Sequence, residues 1–156
     1  DRNLSFLIDC WSYIKKNSET SKLIINPPSE LSDQDKTNDI HLRIKGNKQD
    51  LINDLMNSRV MLNPGHKGEV FCLAAEEARE LCVPIVTMGY GALYERVEHE
   101  KTGFIAKNKD EFIKYSSDIL NNDDLFLELK KNLKLKRKSR TYKDVANDFL
   151  KLIYES

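Results

Sequence analysis

Glu69 and Glu77 stand with seven residues between them, on either side of the expected start of a helix. Counting from Phe71, apolar residues fall at Phe71, Ala74, Ala75, Ala78, Leu81 and Cys82, the i, i+3, i+4, i+7 recurrence of a helix with one buried stripe. The first N–H groups of a helix lack intrahelical partners and carry a partial positive charge, which suits phosphate. A carboxylate on each side adds an acceptor for hydroxyl groups. Together they match a ligand with a hydroxyl-rich group at each end and a diphosphate between, the chemistry of a nucleotide sugar. At roughly 100° per residue, Glu77 lies near the edge of the stripe and is expected to face a cleft, whereas Glu76 points away from the stripe into water. Eight residues of helix rise about 12 Å at most, so the two carboxylates can bracket a diphosphate. Paired glutamates on a helix are more often a solvated face, and the spacing alone does not decide.

The neighbouring residues do more. The run from Asn63-Pro64 through Glu69 and Glu77 to Val83-Pro84-Ile85-Val86-Thr87 is followed by Gly91-Ala92-Leu93-Tyr94-Glu95-Arg96-Val97 and Thr102-Gly103-Phe104-Ile105-Ala106. In order and spacing this set resembles the donor-binding domain of the retaining GT-B glycosyltransferases of glycosyltransferase family 4. The resemblance is densest over residues 60–106, and flanking elements extend it to most of the chain. It implies an α/β, Rossmann-like three-layer domain with a parallel sheet, the C-terminal half of a GT-B fold. Residues 1–156 would then be one nucleotide-sugar-binding domain of a longer enzyme, without the N-terminal acceptor domain and the first strand. The implied activity is transfer of a hexose, with retention, from a nucleoside diphosphate sugar to a glycan or lipid-linked acceptor in polysaccharide biosynthesis. The domain alone is expected to be inactive. Two other readings stay open: a GT-B nucleotide-sugar epimerase, and a degenerate nucleotide-binding or interaction module in which Val70, Cys72 and Cys82 mark a decayed site.

Carried over by position, the resemblance implies that Glu69 contacts donor-sugar hydroxyls as the catalytic-centre carboxylate. It likewise implies that the N–H groups of Phe71, Cys72 and Leu73 hold the pyrophosphate and that Glu77 binds the ribose. Arg2 is the candidate for a basic residue that contacts phosphate from the loop before the first helix, and residues 45–48 are candidates for reading the base. No metal and no cofactor are implied, because those positive groups can neutralise the diphosphate. Where the family has Gly-Phe-Gly, this chain has Val70-Phe71-Cys72, so side chains are expected to narrow the cradle while its N–H donors persist. Cys82 replaces a helix-terminating glycine. A left-handed backbone there costs about 1 kcal/mol, so a different helix ending is expected. Only Gly91 is kept of a Gly-Gly pair, and Glu95 matches a family glutamate that supports its loop or contacts ligand.

The 156-residue chain is long enough for one domain with a sizeable core. Its 25 basic and 25 acidic residues balance, so no net field favours nucleic acid. Three cysteines without C-x-x-C spacing, Cys10, Cys72 and Cys82, fall in expected helices and fit buried thiols of a reducing compartment. A cytoplasmic location is the default, with no membrane-length apolar run. The basic stretch of residues 130–143 suits either a solvated helix or peripheral contact with an anionic membrane. His66 and Lys67 suit a phosphate, an acceptor or an exposed loop, while His41 and His99 read as structural.

Positioning these groups requires alternating helices and short apolar strands. Helices are expected over residues 4–14, 48–57, 71–82, 92–97, 110–120, 123–137 and 141–154. Strands are expected over 22–26, 40–44, 60–63, 85–87 and 104–105, with residues 29–39 as a loop or weak helix. This alternation predicts a parallel sheet flanked by helices, with ligands at the carboxyl ends of the strands. The missing G-x-G-x-x-G counts against a dinucleotide.

Overall fold

The computed structural model describes residues 3–25, 39–43 and 47–137, together with Lys143, Ala146, Asn147, Leu150 and Tyr154. Arg2, Lys45, most of the expected loop at 29–39 and most of the expected last helix lie outside the described residues. The elements in chain order are α1 (Leu4–Asn17), β1 (Leu23–Ile25), β2 (Ile40–Leu42), α2 (Lys48–Met56), β3 (Met61–Asn63), α3 (Leu73–Glu80) and β4 (Ile85–Thr87). They continue with α4 (Leu93–Arg96), β5 (Gly103–Ile105), α5 (Lys109–Asn121) and α6 (Asp123–Lys136).

Among the described residues the strand pairings are parallel, as the alternation predicts, but the strands fall into two sheets. β1 pairs with β2, with Leu23 opposite Ile40. The other sheet has the order β3-β4-β5, with Met61 opposite Ile85 and Ile85 opposite Gly103. Glycine is required at 103, because a Cβ there would overlap the Ile85 backbone.

The three layers follow from the two faces of β4. Successive strand residues point to opposite sides, and a strand covered on both sides is apolar throughout. Val86 joins a cluster with Leu7, Cys10, Trp11 and Ile14 of α1, Phe112 and Ile119 of α5 and Leu129 of α6. Leu23, Ile25 and Ile40 belong to the same cluster, so both sheets share one core. Ile85 points the other way, to Ala75 and Ala78 of α3 and Leu93 of α4. The small alanines let α3 lie close on the sheet, which the i, i+3 spacing of the stripe foretells.

Side-chain caps fix where several helices begin. Asn47 and Asp50 form a reciprocal capping box on α2, and the side chains of Asn108 and Asn122 accept from the N–H groups of Glu111 and Leu125. Such caps contribute about 1 kcal/mol each. No side chain caps α3.

Helix α3 is shorter than its apolar stripe suggests. Cys72 is its N-cap, with φ 57°, and Cys82 lies past its end, with φ 58°. Neither cysteine is helical, contrary to expectation. The Cys82 N–H bonds to the Arg79 carbonyl at 3.0 Å and the Val83 N–H to the Ala78 carbonyl at 2.9 Å, the paired bonds of a Schellman ending. The helix therefore stops as it would with glycine, and the expected different ending is not found. Burial of Val83 beside Ala78 anchors the turn and offsets the strain at Cys82.

Candidate functional site

The loops after β3 and β4 leave the carboxyl ends of adjacent parallel strands. The β3 loop begins at Pro64 and carries Glu69 before α3. The β4 loop carries Gly91 before α4. They meet where the Ala92 N–H donates to the Glu69 carbonyl at 2.9 Å. Gly91 has φ 57°, and a Cβ on it would overlap that carbonyl oxygen, so the surviving glycine of the expected pair is the one this contact needs.

Glu69 is largely enclosed, its side chain 13% exposed. Its N–H donates to the His66 carbonyl at 3.1 Å, and Oε2 lies 3.5 Å from His66 Nε2. His66 Nδ1 accepts from the Gly68 N–H at 3.1 Å, which leaves Nε2 to carry the proton toward Glu69. This carboxylate partner of His66 is none of the alternatives read from the sequence; Lys67 is exposed.

Past Glu69 the chain turns through Val70 and Phe71 into α3. Val70 is 90% exposed, Phe71 49% and Leu73 70%. Cys72 turns inward instead. Its side chain packs with Ala75 and Leu93, and Asn63 Nδ2 donates to its Sγ at 3.2 Å. The thiol does not stand in the mouth of the cradle, against the expected narrowing at that position. Two carbonyl-directed bonds close the turn, from the N–H groups of Ala75 and Glu76 to the Cys72 carbonyl at 3.1 and 3.2 Å. No side chain caps α3, at an end where the first N–H groups of a helix lack intrahelical partners.

Glu77 is exposed on α3 and Glu76 is not. The expectation that Glu76 faces water is corrected: it bonds to Arg79, and its Oε2 lies 3.7 Å from Arg96 Nε. The helix wheel placed Glu76 relative to the sheet, whereas α4 covers it from the side. Arg96 is the residue the sequence reading missed. Its Nε donates to the Phe71 carbonyl at 3.2 Å and its guanidinium lies 4.2 Å from the Phe71 ring centre. Only the i, i+3 spacing of Glu76 and Arg79 is visible in the sequence.

The start of α1 reaches the same loop, with the Asn3 side chain donating to the Gly65 carbonyl. Glu95 is exposed on α4. His99 is structural: Nδ1 accepts from the Ile105 N–H at 3.0 Å, and its ring meets Phe104 and Tyr115 edge-on. Among the described residues no group of three or more His, Cys, Asp or Glu side chains is gathered for a metal, and no helix is long and apolar enough to cross a membrane.

The family described as glycosyl transferases group 1 matches residues 2–140. Among solved structures, the chain is similar to a mutant of S. aureus TarM crystallised with fondaparinux, alpha-GlcNAc-glycerol and UDP, with a TM-score of 0.74 and 18% identity. That match covers 97% of this chain and 32% of the other, so the chain spans about a third of that protein's length. At this identity the likeness shows the fold, the Rossmann-like domain of a GT-B glycosyltransferase. Comparison with curated proteins gives no match.

Proposed function

Because the chain belongs to the group 1 glycosyl transferases, we propose that it is the nucleotide-sugar-binding domain of a retaining hexosyltransferase acting on a glycan or lipid-linked acceptor. One observation carries this reading. Glu69, largely enclosed, lies on the turn that leads through Val70 and Phe71 to the N-cap Cys72 of a helix with no side-chain cap, at the carboxyl ends of parallel strands. The crystallisation of the TarM neighbour with UDP supports the same ligand class.

In this reading Glu69 accepts from hydroxyls of the donor sugar, the N–H groups of Phe71, Cys72 and Leu73 meet the diphosphate, and Glu77 binds the ribose. Arg2 adds positive charge to the phosphates. The sugar C1–O bond to the diphosphate breaks while a bond to the acceptor oxygen forms on the same face. The acceptor proton passes to the departing diphosphate oxygen. Charge building on that oxygen is offset by the α3 N-terminus and basic side chains, with no metal ion required. The acceptor sits mainly on a separate N-terminal domain of the same enzyme, so this domain alone binds donor weakly and transfers nothing. The setting is cytoplasmic, with peripheral contact to an anionic membrane through the basic α6 region.

Titration with UDP, GDP, ADP and their sugars, followed by calorimetry or amide NMR, tests the reading. Shifts that include residues 69–77 are expected with one nucleotide family. No shift there with any of them would sink it.

A further inference from the structure

Arg96 belongs to α4, yet its side chain is committed to the loop before α3. Its Nε donates to the Phe71 carbonyl at 3.2 Å, and its guanidinium stacks 4.2 Å from the Phe71 ring centre. The same Nε is 3.7 Å from Glu76 Oε2, a buried oxygen with no hydrogen-bond partner among the described residues. Arg79 holds the other oxygen of Glu76. One guanidinium thus spans the cradle, from Phe71 ahead of the N-cap to Glu76 in the first turn.

The span matters because the backbone between is strained. Cys72 has φ 57°, a left-handed conformation that a non-glycine residue keeps only when its surroundings enforce it. A planar trans peptide points its C=O and N–H in opposite directions. Fixing the Phe71 carbonyl therefore fixes the plane of the next peptide and the path by which the chain enters α3. Arg96 is a poor candidate for touching the ligand itself. Its side chain is 18% exposed, and its charge already faces Glu76.

We propose that Arg96 is a positioning residue for donor binding: by holding Phe71 and Glu76 together it keeps the N–H groups at the start of α3 aimed at a diphosphate. The proposal rests on the donor-site reading above.

Arg96→Met, which keeps an apolar stem over Phe71, and Arg96→Lys, which keeps the charge, test it in the full-length enzyme. The first readout needs no ligand. Hydrogen exchange at the Ala75 and Glu76 amides, which bond to the Cys72 carbonyl, should accelerate at least tenfold in Arg96→Met, with the β4 amides unchanged. Unaltered exchange would overturn the proposal whatever the ligand. The second readout is binding of whichever of UDP, GDP or ADP the unmutated enzyme holds best. Its Kd should rise about tenfold in Arg96→Met, while the Kd of the corresponding nucleoside changes less than twofold. Arg96→Lys should recover little of the loss, because a lysine cannot both stack and bond the carbonyl. Full recovery by lysine, or unchanged diphosphate affinity in Arg96→Met, would overturn the proposal alone. Failure of the unmutated enzyme to bind any of the three would instead overturn the donor-site reading.

Discussion

Gly91 lies against the backbone of Glu69 so closely that no side chain fits between them, and the next N–H bonds the Glu69 carbonyl at 2.9 Å. The β4 loop thereby sets the height of the carboxylate above the sheet. Substitution should act at both levels. Gly91→Ala combines an unfavourable φ of 57° with overlap against backbone, and should cost about 2 kcal/mol of stability. It should also weaken the nucleotide sugar more than the bare nucleoside diphosphate. Denaturant unfolding and calorimetry check the two effects, and a stable variant with unaltered nucleotide-sugar affinity would separate Gly91 from the site.

Cys72 and Cys82 occupy left-handed positions at the two ends of α3, but they should respond differently to glycine. At Cys82, relief of strain exceeds the added freedom of the unfolded chain, and Cys82→Gly should gain about 0.5 kcal/mol. At Cys72 the gain is offset by loss of a side chain that is 7% exposed and bonded to Asn63. Urea unfolding of both variants checks this; equal gains would contradict the inward placement of the Cys72 thiol.

Burial pushes the Cys10 thiol up to about 11, against partial relief from Lys109. The folded protein thus holds a proton that the unfolded chain releases above its ordinary value of 9.0. Stability contributed by this group is present below pH 9 and is lost as pH rises toward 11. The difference between unmutated protein and Cys10→Ala should shrink by up to about 2 kcal/mol over that window. In native protein at pH 8, alkylation should reach the partly exposed Cys82 and spare Cys10, as peptide mass spectrometry would show.

Periodicity made the fold legible wherever a residue's surroundings come from its own element. The alanine stripe of α3 and the apolar Ile85-Val86 pair announce their places. The left-handed turns at Cys72 and Cys82 run against the sequence reading, because cysteine standing in place of glycine argues for a different backbone and the surrounding packing enforces the same one. The division into two sheets was hidden: strands of three residues each carry too little pattern to tell which strand pairs with which. At the site, Glu69 and Glu77 are singled out by their spacing about one helix start, and the structure leaves Glu69 largely enclosed and Glu77 exposed on α3. Arg96 is not singled out, since its partners Phe71 and Glu76 are reached across space from another helix. The helix wheel misplaced Glu76 for the same reason.

The central claim gives Glu69 and Glu77 separate halves of one ligand. Calorimetric titration of the full-length enzyme with nucleoside diphosphate and with the matching nucleotide sugar, using Glu69→Ala and Glu77→Ala, tests it most directly. Glu77→Ala should weaken both ligands about tenfold, because the ribose is common to them; Glu69→Ala should leave the bare nucleotide within about twofold and weaken the nucleotide sugar about tenfold. Equal losses on both ligands from both variants would contradict the assignment.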